Sequence, residues 1–163
     1  MVKDLVMSIL FSSVPIEKIK KWIYPEKEFE QDIDIDVRST NPVSFNINSQ
    51  IPSSSIYLKV TNKSQYLEAT FDRALLSLWL NSDKGTQPIC NELHIICKKK
   101  IGRKRTEEIF FRYDLNESQI KNLGEIKESK RLSATLYLKI YMDSLLYDLL
   151  KEVRLENKPC EIN

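Results

Sequence analysis

The first two dozen residues carry apolar side chains at the spacing of one helical face. Their intervals of three and four place them on one side of an α-helix. Pro15 interrupts the run and predicts a kink or a division, because proline lacks a backbone N–H. We predict an apolar to amphipathic helix over residues 1–24, followed by a β-rich domain over residues 25–163. The positions that define the face are Val2, Leu5, Val6, Ile9, Leu10, Ile16, Ile19, Trp22 and Ile23.

Beyond residue 30 the hydrophobic period changes from 3.6 to two. Apolar and acidic residues alternate over residues 31–38, which is the pattern of a strand with one buried and one solvated face. An all-helical reading stays open for residues 74–80, and turn-forming residues predict a loop over 81–88. Similar alternation predicts strands near residues 43–47, 56–60, 67–80, 93–97, 109–115, 132–142 and 145–155.

A short helix is predicted between residues 116 and 129. Asn116 can serve as its N-cap, and Gln119 stands three residues later, at the spacing of a capping box. The remaining strands are joined by short polar loops without intervening helices. The pattern as a whole predicts a mainly β fold, an antiparallel two-sheet sandwich with an N-terminal helix and one short inserted helix.

Composition narrows the range of functions. Only three glycines occur in the 163 residues, and no G-x-G-x-x-G or G-x-x-x-x-G-K pattern is present, which argues against the common nucleotide-binding enzymes. The 25 basic and 23 acidic residues nearly balance, so no global field draws the chain onto nucleic acid. The three cysteines are an odd number and favour a reducing compartment. We expect a cytoplasmic protein, with attachment to a membrane surface as the alternative.

Two segments resemble a known family. Residues 34–42 and 56–62 each read as a strand that ends on an asparagine turn, at Asn41 and Asn62. This is similar to the LEA14-like (water-stress and hypersensitive-response) β-sandwich family. The resemblance covers residues 30–115 and implies an immunoglobulin-like sandwich without a catalytic site, in a stress-related or membrane-associated role. The helix predicted at 116–129 departs from the simple family pattern.

A basic cluster lies between two predicted strands, around Gly102. We predict a basic hairpin whose tip can hold phosphates or anionic lipid headgroups. The alternative is a solvated tip whose lysines deter edge-to-edge pairing of sheets. Nucleic acid is the weaker ligand, because no aromatic residue is interleaved to stack on bases. The six cations are Lys98, Lys99, Lys100, Arg103, Lys104 and Arg105.

The N-terminal helix is the second candidate contact. Its apolar first half, followed by a segment with lysines opposite the apolar positions, is typical of an interfacial anchor. It would meet a membrane surface, a partner protein or a second copy of the chain. The alternative is a helix packed across the sandwich. The predicted contact residues are Leu5, Ile9, Leu10, Phe11, Ile19 and Trp22, and the opposing lysines are Lys18, Lys20 and Lys21.

No residue pattern predicts catalysis, a metal or a cofactor. His94 is the only histidine, and on a strand it faces away from Cys97, so these residues and Cys90 lack the partners of a zinc site. The alternating acids at 32–36 and the pair at 107–108 are interpreted as solvated faces rather than as calcium or glycosidase sites. Tyr137 and Tyr141 share the polar face of one predicted strand, where they cover the sheet or form an aromatic binding surface.

The sequence therefore favours a non-enzymatic interaction module that binds a partner protein or a membrane surface. The alternative is a nucleic-acid-binding sandwich that uses the cluster at 98–105. Two N-glycosylation triplets begin at Asn62 and Asn116, and we expect neither to be modified, because no convincing secretion signal precedes them.

Overall fold

The computed structural model describes residues 17–163, which form three helices and eight strands. The predictions for residues 1–16, including the kink at Pro15 and the contacts of Leu5, Ile9, Leu10 and Phe11, lie outside the described residues. The helices are α1 (Glu17–Ile23), α2 (Glu26–Asp32) and α3 (Glu117–Ile126). The strands are β1 (Ile33–Val37), β2 (Val43–Asn46), β3 (Ser53–Asn62), β4 (Ala69–Ser82), β5 (Gly85–Ile101), β6 (Arg105–Asp114), β7 (Ser133–Ser144) and β8 (Asp148–Ile162).

The strands form two layers, as the sequence predicts. In sheet A, β3 pairs with β1 and β2 along one edge and with β6 along the other. In sheet B the order is β5, β4, β7, β8, and every pair is antiparallel. The end of β8 leaves β7 and pairs in parallel with β2, from Cys160 to Ile162. The mainly β sandwich is confirmed, with this single parallel pair as a departure from the antiparallel pattern among the described strands.

The core lies where the period of two places the apolar side chains. In β7, Leu136, Leu138 and Ile140 are fully buried, and they alternate with more exposed polar residues. Their counterparts in sheet A are Ile56 and Leu58, which are also fully buried. The helical alternative for residues 74–80 is wrong, because β4 pairs with β5 on one side and with β7 on the other.

Two predicted boundaries are corrected. The strand expected from residue 31 begins at Ile33, because residues 26–32 form α2, a helix that the sequence analysis does not predict. The loop expected over 81–88 is also wrong, since only Asp83 and Lys84 separate β4 from β5. Gly85 follows this turn with a φ of 110°, a backbone conformation that glycine adopts without strain.

The segment at 98–105 is not a hairpin between paired strands. Among the described residues, β5 pairs with β4 and β6 pairs with β3, so the turn at residues 102–104 carries the chain from sheet B to sheet A. Alternation predicts strands but not their partners, which is why the sequence suggested a hairpin. Register shifts interrupt the β4–β5 pairing, and two residues of β5, Glu92 and Lys98, have a positive φ. Such bulges discourage further strands from pairing with this edge.

The predicted capping box of the inserted helix is confirmed. Asn116 Oδ1 accepts a hydrogen bond from the Gln119 N–H at 2.9 Å, and Gln119 Oε1 accepts one from the Asn116 N–H at 2.9 Å. The Gln119 amide also donates to the Ile89 carbonyl at 2.6 Å, which ties α3 to β5. Leu123 and Ile126 are fully buried and seat the helix on the sandwich.

Candidate functional site

The helices α1 and α2 are fastened to one end of the sandwich by a buried tyrosine. The Tyr24 hydroxyl donates a hydrogen bond to the Asp32 carboxylate and lies 2.9 Å from Ser64 Oγ, its second partner. The Tyr147 hydroxyl donates to the Tyr24 carbonyl at 2.6 Å. Phe29 stacks on Tyr147 with ring centres 6.2 Å apart. We call this group, Tyr24, Phe29, Asp32, Ser64 and Tyr147, the helix clamp.

The helix clamp leaves one side of α1 facing solvent. Trp22 is 84 % exposed and Ile19 is 42 % exposed. The two residues are three apart, so they lie on the same side of the helix. The Lys21 ammonium group is 5.6 Å from the centre of the Tyr147 ring. The fold thus presents a large aromatic side chain on a short helix that the sandwich holds in place.

One lysine of α1 departs from the predicted amphipathic arrangement. The helical pattern places Lys20 on the solvated side, but Lys20 is only 4 % exposed. Lys20 lies four residues before Tyr24 and therefore shares its buried side, where the long aliphatic stem of a lysine can pack. The prediction is wrong because the contacts of Tyr24 in the helix clamp decide which side of α1 faces the sandwich, and the apolar positions of the helix do not.

The basic cluster is exposed but partly neutralised. The Lys100 ammonium lies 2.6 Å from the Glu68 carboxylate, and Lys99 lies 3.5 Å from Glu107. The hydrogen bond from Lys100, together with the nearby Arg103, holds the pKa of Glu68 below its usual value. The other four cations make no ion pair within the described chain; they are Lys98, Arg103, Lys104 and Arg105. Two carboxylates therefore lie inside the surface predicted to bind anions.

The candidate metal residues are dispersed. Cys90 Sγ donates weakly to the Leu76 carbonyl at 3.8 Å, whereas His94 is exposed on the outer face. The Asp36 carboxylate accepts a hydrogen bond from Lys158 at 2.7 Å; partial burial opposes ionisation, but this bond prevails and lowers the pKa of Asp36. Over residues 17–163, no three histidine, cysteine or acidic side chains are arranged to hold a metal ion.

The asparagine turn after β3 is a buried anchor. Asn62 is 0 % exposed, and its amide group donates to the Leu67 carbonyl at 2.8 Å and to the Ile101 carbonyl at 3.4 Å. Its Oδ1 accepts a hydrogen bond from the Ser64 N–H at 3.0 Å. The nitrogen that a glycan would modify is therefore enclosed and bonded in the folded chain. Asn62 joins the turn after β3 to the end of β5.

An aromatic pocket on the outer face of sheet B is the feature that sequence reasoning missed. The sequence predicts an aromatic surface only at Tyr137 and Tyr141, and Trp79 falls in the separate strand predicted over residues 67–80. The β4–β7 register sets Trp79 opposite Thr135, two residues from Tyr137. The resulting pocket has a volume of about 430 Å³ and is lined by Trp79, Asn81, Thr86, Thr135, Tyr137 and Arg154. Only the strand pairing brings these residues together.

The partly buried Cys160 thiol predicts a loss of stability in alkali. Burial raises its pKa from 9.0 to about 12. The unfolded chain loses this proton near pH 9 while the folded chain keeps it, so ionisation favours the unfolded state. Cys160 should add no pH dependence below about pH 9, and between about pH 9 and pH 10 it should lower the free energy of unfolding by at most about 1.4 kcal/mol. Urea denaturation of the native chain and of Cys160→Ala at several pH values measures this. If the free energy of unfolding falls equally steeply with pH in both proteins, the prediction is wrong.

Within the described residues, no helix is long and apolar enough to cross a bilayer.

Comparisons with known proteins give remote structural likenesses. No protein-family model and no curated protein matches the chain. A protein from Archaeoglobus fulgidus is similar at a TM-score of 0.41 and 10 % identity, over 78 % of this chain and 96 % of that one. The sporulation control protein Spo0M from Bacillus subtilis is similar at a TM-score of 0.40 and 9 % identity, over 80 % of this chain and 49 % of that one. A late embryogenesis abundant protein is similar at a TM-score of 0.39 and 11 % identity, over 96 % of this chain and 87 % of that one.

Proposed function

We propose that the chain is a non-enzymatic interaction module that attaches to the cytoplasmic surface of a membrane through α1. The observation that carries the proposal is Trp22, which stands 84 % exposed on a helix that the clamp fixes to the sandwich. Tryptophan prefers the headgroup region of a bilayer, where its apolar ring leaves water while the indole N–H still finds a polar partner.

The neighbouring sequence supports a lipid partner. Residues 5–14 are mostly apolar and lie just ahead of α1 in the sequence, and Lys18 lies one turn before Trp22. An apolar segment joined to an interfacial tryptophan and a lysine is the composition of a helix that lies in the plane of a bilayer. The clamp fixes Tyr24, the residue that follows α1, so α1 loses less conformational entropy on insertion than an untethered helix would.

Replacing Trp22 by alanine should release the chain from vesicles. Burying about half of a tryptophan side chain contributes roughly 2 kcal/mol. We therefore expect Trp22→Ala to bind about thirtyfold more weakly than the native chain. Flotation with equimolar phosphatidylcholine and phosphatidylserine vesicles measures the difference, and vesicles of phosphatidylcholine alone report the share that depends on anionic lipid.

Trp79→Ala is the matched control, because it removes the other tryptophan of the chain from a different face. It should float like the native protein. If the native chain fails to float, or if Trp22→Ala floats equally well, the membrane proposal is wrong. Light scattering on the same samples then tests whether a second copy of the chain covers Trp22. A native dimer that becomes monomeric in Trp22→Ala would assign α1 to self-association.

Nucleic-acid binding by the basic cluster is the weaker function. Its support is the exposure of Lys98, Arg103 and Lys104 at a turn between the two sheets. Against it, Glu68 and Glu107 pair with Lys100 and Lys99 and would repel a phosphate backbone. Since binding strength follows the number of phosphates neutralised, the two pairs remove part of the electrostatic attraction.

A further inference from the structure

The pocket on the outer face of sheet B is built on four neighbouring strands. Trp79 and Asn81 belong to β4, Thr135 and Tyr137 to β7, while Thr86 and Arg154 come from the flanking strands β5 and β8. Each lining residue is thus fixed by a ladder of backbone hydrogen bonds rather than by a loop. A site on rigid strands with a volume of about 430 Å³ is within the range of small-molecule sites.

One side of the pocket is a chain of polar groups. The Thr86 hydroxyl donates to Asn81 Oδ1 at 2.9 Å, and the Asn81 amide donates to Thr135 Oγ1 at 3.0 Å. The hydroxyl proton of Thr135 and the second amide proton of Asn81 have no acceptor within the described chain. Arg154 pairs through Nε with Glu156 at 2.7 Å, which leaves its two terminal amino groups as donors for a ligand. The pocket therefore offers several neutral and charged donors to one ligand.

The other side is aromatic and held in place. Tyr137 and Trp79 are both half-buried on the outer face. The Lys139 ammonium lies 6.0 Å from the centre of the Tyr137 ring, and the Glu152 carboxylate accepts a hydrogen bond from its phenol, which raises the pKa of Tyr137. Contacts of this kind restrict the ring before any ligand arrives, which reduces the entropic cost of binding.

We propose that this pocket binds neutral oligosaccharides. A pyranose ring has an apolar face of C–H bonds that stacks on an aromatic side chain, and a rim of hydroxyls that accept hydrogen bonds from amide, hydroxyl and guanidinium donors. A purely apolar ligand would leave the donors of Asn81 and Thr135 buried without partners, at a cost of about 1–3 kcal/mol each. An anionic ligand would meet the carboxylates of Glu152 and Glu156 close to Arg154, the one cation among the residues that line the pocket.

Tryptophan fluorescence tests the site directly. In the full chain carrying Trp22→Phe, Trp79 is the only indole, so its emission reports the pocket alone. Maltohexaose, cellohexaose, xylohexaose and hexa-N-acetylchitohexaose are titrated to millimolar concentration. We expect at least one of them to shift or quench the emission with saturation. The same sugars coupled to serum albumin distinguish a glycan carried on a protein from a free saccharide.

Two tyrosines of β7 provide a matched pair of variants. Tyr137 lines the pocket, whereas Tyr141 lies on the same face outside it. Tyr137→Ala should weaken sugar binding by about thirtyfold, as the loss of a central aromatic contact does, and Tyr141→Ala should leave it unchanged. No response to any free or coupled sugar overturns the proposal, and so does an equal loss in the two variants. Circular dichroism of both variants verifies that they fold.

Discussion

An Asn62→Ala variant is expected to lose about 3 kcal/mol of the free energy of unfolding. The substitution removes the side-chain hydrogen bonds of three backbone groups, namely the carbonyls of Leu67 and Ile101 and the N–H of Ser64. A buried group stripped of its hydrogen bond costs about 1–3 kcal/mol, and part of the total is recovered where the turn relaxes. The effect is large because one amide side chain joins the turn after β3 to the end of β5. Urea denaturation followed by circular dichroism measures it.

Two further variants sharpen this prediction. Asn46→Ala is the matched control, since Asn46 also ends a strand but is exposed, and its loss should cost less than about 0.5 kcal/mol. Asn62→Asp keeps the acceptor for the Ser64 N–H but turns a carboxylate towards two carbonyl oxygens. It should therefore destabilise the fold at least as much as alanine. A loss below about 1 kcal/mol in Asn62→Ala would mean that water replaces the side chain.

Phe29→Ala is expected to destabilise the fold by about 3–5 kcal/mol, the usual cost of removing a fully buried phenylalanine. Phe29 is the one buried side chain of α2. Its ring centre lies 6.2 Å from that of Tyr24 and 6.2 Å from that of Tyr147. Because Tyr24 and Tyr147 also carry the hydrogen bonds of the helix clamp, we expect a single cooperative transition at lower urea concentration rather than separate melting of the helices.

Phe110→Ala is the control for this second prediction. Phe110 is half-exposed on sheet A and contacts Tyr57 at a ring-centre distance of 4.8 Å, so its removal should cost about 1 kcal/mol. Equal stability of the two variants would show that the clamp adds little to the sandwich. A two-step transition in Phe29→Ala would show that α1 and α2 unfold as a unit of their own, which would also release Trp22 from its fixed position.

Strand positions and the inserted helix were predictable because they depend on local patterns. The alternation over 132–142 reflects a strand with one buried face, and the structure places β7 there. Asn116 and Gln119 form their capping box with groups three residues apart in the chain. In contrast, α2 has a single buried apolar residue, Phe29, among seven positions, so its sequence carries no helical period to detect. The packing of Phe29 on Tyr147 stabilises this helix, and a contact between residues so distant in sequence leaves no local pattern.

Strand partners and the candidate pocket could not be predicted for a related reason. The alternating residues of β5 and β6 read the same whether these strands pair with each other or with β4 and β3. The sequence indicates that Trp79 and Tyr137 each face outward from a strand. It does not contain the register that sets β4 beside β7. Sites that form across neighbouring strands emerge only when the pairing is known.

The parallel pairing of β2 with the end of β8 has a consequence for folding kinetics. Val43 meets Cys160 only after a loop containing nearly the whole sandwich has closed, at an entropic cost that grows with loop length. The β4–β5 and β7–β8 hairpins need only short loops and can assemble early. The seam between β2 and β8 is then the late, slow step, and until it closes β2 offers an open edge. In concentrated solution the same edge can accept β8 from a second copy, so strand exchange is the misfolding route that this topology favours.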